Sequence, residues 1–157
     1  MAGDKKLAIQ PIIGCVASLV VALMFLLPLM VTDYPSPLKD VTSNLFDFLE
    51  AFFDGAKITT LVTATTIVLY LTHLVAIVSA VLFGICIFTG NEKLLNIAKI
   101  MSYVLAGLAL VGLILAFIMV ADFNKDLPKD IFKIGVAPIL AAVFAIGSAV
   151  CSFVLKK

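Results

Sequence analysis

The chain has 157 residues, 63% of them hydrophobic and 13% charged, with a mean hydropathy of +1.22 and a formal net charge of +1. A soluble domain of this length cannot hide so much apolar surface, because more than half the surface of an ordinary globule is already apolar. Its basic residues are lysines, too few and too scattered for nucleic acid.

The apolar residues fall in four blocks, each long enough to cross a hydrocarbon layer about 30 Å thick at about 1.5 Å per residue. They run from 9 to 31, 58 to 88, 94 to 121 and 134 to 155, and their one charged residue is Lys99, near the start of the third. The expectation is an all-α integral membrane protein. A single domain, 1–157, forms a four-transmembrane-helix antiparallel bundle, with one further amphipathic helix in the first extracytoplasmic loop.

The first block follows Lys5 and Lys6, as a secretory signal would, but it is too long and lacks a small-residue cleavage site. It therefore reads as an uncleaved helix. Gly14, Ser18 and Ala22 give it one small face for close packing, and Pro28 predicts a kink in its outer half.

Pro35 and Pro37 stop that helix, and Asp40 offers a cap for a new one over 40–54. On that helix Val41, Leu45, Phe48, Leu49 and Phe52 share a face, while Asp47, Glu50 and Asp54 lie opposite; Gly55 ends it. The pattern fits a docking surface for a partner. It equally fits a helix lying at the interface as a lid on its own bundle.

The second block opens with hydroxyls. Thr59, Thr63, Thr66, Tyr70 and the chain's single histidine, His73, are spaced four, three, four and three, so they form one helical stripe. Threonine is tolerated in a membrane because its hydroxyl can bond its own helix carbonyls. Histidine is costlier and is expected to face the bundle or a wet cavity. One reading is a polar half-channel or small-molecule pocket ending at His73. The other is a neutral histidine in an interhelical hydrogen bond, opposite the small face of another helix.

The turn "TGNEK" forces the second and third helices into an antiparallel pair. Gly112 and Ala116 give the third helix a small face, and Ala137, Ala141, Ala145 and Ala149 recur every fourth residue on the last. The link between these two helices, "ADFNKDLPKDIFKIG", reads as a polar turn, and Pro138 predicts a second kink.

Four crossings put both termini on the side of Asn91. Lysines flank that side with little acid, so the positive-inside rule places both termini in the cytoplasm of a multi-pass plasma-membrane protein. Cys15, Cys86 and Cys151 form no Cys-x-x-Cys pair and read as small buried hydrophobes. No cofactor or metal is expected.

The sequence has no nucleophile–base pair and no phosphate loop, so an enzyme is not expected. It lacks the intramembrane acid of small multidrug transporters, the paired cysteines of membrane thiol oxidases, and the tryptophan and loop disulfide of claudins, which it resembles in topology alone. The expected role is a structural, assembly or accessory subunit of a membrane complex. Its partners would be the lipid bilayer and another membrane protein or further copies of itself. A small channel or transporter using the Thr59-to-His73 stripe is the alternative.

Overall fold

The computed structural model describes residues 9–34, 41–55 and 59–154; the Phe52 side chain falls outside that description. Helices dominate: α1 (Ile9–Met24), α2 (Leu45–Phe53), α3 (Thr60–Thr89), α4 (Glu92–Asn124) and α5 (Val136–Val154). By length and composition α3, α4 and α5 can each cross a membrane, and α1 is a shorter apolar helix.

Local chemistry fixes the α3–α4 hairpin. The Thr59 hydroxyl caps α3 by accepting from the Val62 amide at 3.3 Å. Gly90 ends α3 in the left-handed region, where a side chain would be strained, and donates to the Cys86 carbonyl. Asn91 then starts α4, its side chain accepting from the amides of Lys93 and Leu94.

Small residues let the other helices close on this hairpin. A Cβ at Gly14 of α1 would stand 2.7 Å from the Phe83 ring of α3, and one at Gly112 of α4 would stand 2.6 Å from Leu69. Ser18 and Ser79, both fully buried, bond at 3.1 Å between α1 and α3, and Ser102 and Ser152 do so between α4 and α5. Ala116, Ala137, Ala141 and Ala145 are buried, whereas Ala149 is half-buried.

The largest departure from expectation is a three-stranded antiparallel sheet at the end remote from the termini. It comprises β1 (Met30–Thr32), β2 (Val41–Ser43) and β3 (Phe132–Ile134), in the order β2-β1-β3. The β-branched Val31, Thr32, Val41 and Thr42 suit the pleat, and Met30 pairs with both Ser43 and Ile134. Four expectations are corrected by it.

The first helix ends at Met24 rather than Val31, so Pro28 lies in the link to β1 instead of kinking a helix. The amphipathic helix starts after Asn44, which leaves Val41 half-exposed in a strand and off the shared face. The expected cap, Asp40, lies outside the described residues. Asn44 takes that role, its side chain accepting from the amides of Phe46 and Asp47 while Asp47 accepts from the Asn44 amide. Ile134 belongs to β3, so the last helix begins at Val136 and Pro138 sits in its first turn, where proline costs no helical bond. The link before it is therefore partly a strand.

Gly135 closes this corner. Its amide donates to the Leu29 carbonyl, and an added Cβ would overlap the Pro28 carbonyl oxygen. Across the sheet, Asn124 at the end of α4 acts as a surrogate strand. Its side chain donates to the Phe132 carbonyl and accepts from the amides of Ile131 and Phe132. An exposed Lys133–Asp33 ion pair joins β3 to the end of β1.

Candidate functional site

The stripe on α3 does not behave as one surface. Thr59 is exposed and spends its hydroxyl on the helix cap. Thr63 donates to the Thr59 carbonyl at 3.2 Å. Thr66 is 3% exposed, whereas Tyr70, one turn on, is 36% exposed. Two threonines outside the stripe are fully buried instead: Thr65 and Thr72 donate to the carbonyls of Leu61 and Val68, each at 2.8 Å. Hydroxyls that bond their own helix ask nothing of a neighbour.

His73 is half-buried and held by aromatic rings, not by the small helix face expected. Phe25 approaches it at 5.6 Å and Phe46 at 5.7 Å, both nearly perpendicular to the imidazole. This edge-to-face arrangement is the favoured one for paired rings. The imidazole Nδ1 is fully enclosed and has no hydrogen-bond partner among the described residues.

Phe46 brings α2 into this site. Leu45 beside it is fully buried with Phe25, Leu29 and Leu69, and Phe48 and Leu49 pack on the same cluster. Three members of the proposed docking face are thus occupied by the protein's own bundle. α2 runs from the level of His73 toward Thr59, where Phe48 and Ala51 border a groove of about 390 Å³ with Val62, Phe123 and Phe132.

A second polar group lies at the other end of the bundle. Gln10 donates to the Ser152 carbonyl at 2.9 Å, and Ser102, which meets Ser152, also donates to the Lys99 carbonyl. Gln10 was not singled out from sequence, although a lone amide at the start of an apolar block was a usable signal. Among the described residues, no group of three or more His, Cys, Asp or Glu stands where it could hold a metal ion. Compared with models of known protein families, with curated proteins and with solved structures, the chain matches none.

Proposed function

We propose that this is a four-span plasma-membrane protein with both termini in the cytoplasm, acting as a structural or assembly subunit without catalysis of its own. The observation that carries the reading is the internal use of polar side chains. Ser18 is spent on Ser79, Ser102 on Ser152, and Thr63, Thr65 and Thr72 on their own helix. A carrier that rocks between states needs polar groups free to meet cargo; these serve a fixed bundle.

In the same reading α2 is an interfacial helix serving as a lid, seated through Leu45, Phe48 and Leu49. The exposed apolar sides of the helices remain for lipid and for a membrane-protein partner or a further copy.

The test is isolation in mild detergent or nanodiscs, with the mass of the particle and its protein content measured. The expected particle holds another membrane protein or several copies of the 16.7 kDa chain. Single-chain particles in native membranes would overturn the reading. The channel or transporter reading keeps one observation in its favour, the unpartnered Nδ1 of His73. It requires that His73→Gln and His73→Leu both abolish flux while leaving the fold intact.

A further inference from the structure

The outer surface of the helices carries a band of exposed large apolar side chains, and the band has the same two edges on all four long elements. Away from the termini, its last members are Leu26 after α1, Ile67 on α3, Ile118 on α4 and Val136 on α5. Contacts inside the bundle bring these to similar heights. Phe25 touches His73, Gly112 faces Leu69, and Gly135 bonds Leu29. The four edges therefore agree to within about two and a half helical turns.

Toward the termini the band ends at Ile9, Phe88, Ile97 and Val154. Along each helix the two edges are about 26 to 32 Å apart at about 1.5 Å per residue, which is the thickness of a hydrocarbon core. Beyond the far edge, α3 from Thr60 to Thr66 and α4 from Met119 to Asn124 continue for about two turns. There they offer no exposed large apolar side chain.

We propose that this band is the lipid contact, so that one face of the bilayer cuts the protein at Leu26, Ile67, Ile118 and Val136. The sheet, most of α2 and the hydroxyl-rich start of α3 then stand outside the hydrocarbon as a compact head. This rests on the four-span reading and changes what the stripe is. Thr59, Thr63 and Thr66 sit at headgroup level or above, where hydroxyls cost nothing. Tyr70 and His73 are inside, about 4.5 Å and 9 Å below the edge counted along α3, with His73 sheltered by Phe25 and Phe46. α3 and α4 need no thick bilayer and no steep tilt, because their extra length belongs to the head.

The experiment is a depth ladder. Cys15, Cys86 and Cys151 are replaced by alanine, and single cysteines carrying a spin label are placed at Thr60, Ile67, Leu74 and Ile77 of α3, at Ile114 and Ala121 of α4, and at Leu26 and Val136. Accessibility to oxygen is measured against accessibility to a water-soluble nickel chelate in liposomes. The oxygen-to-nickel ratio is expected to be several-fold higher at Leu74, Ile77 and Ile114 than at Thr60 and Ala121, with Ile67, Leu26 and Val136 between. A ratio at Thr60 and Ala121 as high as at Ile77 would place the whole of α3 and α4 in lipid and overturn the proposal. Aqueous values at every site, Ile77 included, would instead overturn the four-span reading itself.

Discussion

At the scale of single residues, glycine and histidine carry the sharpest consequences. A Cβ at Gly135 collides with backbone, at Pro28 and Leu29, and backbone that is tied into the sheet cannot move aside. Gly107 and Gly147 have nothing within 4 Å of the same position. Gly135→Ala should therefore lower the melting temperature sharply, whereas Gly107→Ala and Gly147→Ala should be neutral or stabilise by up to about 1 kcal/mol. Gly14 lies between these cases, because the atoms in the way are a phenylalanine ring. Gly14→Ala should cost about 1–3 kcal/mol by overpacking, and Phe83→Leu in the same chain should recover part of it. Thermal unfolding in detergent measures both, and additive losses in the double variant would refute the contact. For His73, the packed-bundle reading expects His73→Gln and His73→Leu to differ in stability by no more than about 0.6 kcal/mol, the average for an interhelical hydrogen bond in a membrane, because neither removes a bond to the enclosed Nδ1. A loss of several kcal/mol from His73→Leu would mean that the ring bears more of the fold than Phe25 and Phe46 account for.

At the scale of elements, the head depends on contacts that a periodicity argument does not see. Apolar blocks, the Asn91 turn and the small faces were legible because each follows from composition or from spacing along one helix. The sheet was not, since its three-residue strands are far apart in sequence and one is buried in a charged link. A run such as "FKIG" carries no period long enough to detect. The same blindness extended the amphipathic helix back over Val41, which has helical spacing but is captured by pairing with Thr32. The site is legible in part: the cost of histidine in lipid predicts that His73 turns inward, but the rings that meet it come from α1 and α2, which sequence alone does not bring together. Asn124 tests the head directly. Asn124→Ala orphans the amides of Ile131 and Phe132 and the Phe132 carbonyl, and each partly buried group left unpaired costs about 1–3 kcal/mol. The expected result is faster amide exchange through β3 and the end of β1, with the α3–α4 hairpin unchanged. On α2, Phe48→Asp should detach the helix and expose Leu45, while Glu50→Gln on the exposed face should be silent. Equal effects from the two changes would mean that α2 is seated on a different face.

At the scale of the whole molecule, charge and geometry make separate statements about orientation that one measurement can compare. Among the described residues, the end that holds Ile9, the Gly90–Asn91 turn and Val154 has no strand, and the lysines flanking it in sequence are accompanied by little acid. The opposite end holds the sheet, α2 and most of the carboxylates, with Asp33 and Asp122 paired to Lys133 and Lys125. Lysine alone barely distinguishes the two ends, and acidic residues weigh little in setting topology. In the four-span reading the head is built from two separate links that must reach the same compartment before β1 can pair with β3, a condition that either orientation of the whole molecule meets. The expected outcome, which rests on the lysine placement in the four-span reading, is that single cysteines at Glu50 and Lys129 are labelled by an impermeant maleimide in intact cells, and one at Asn91 only after lysis. Labelling of Asn91 from outside, with Glu50 and Lys129 protected, would invert the molecule while preserving its fold. Partial labelling at both ends would mean two orientations.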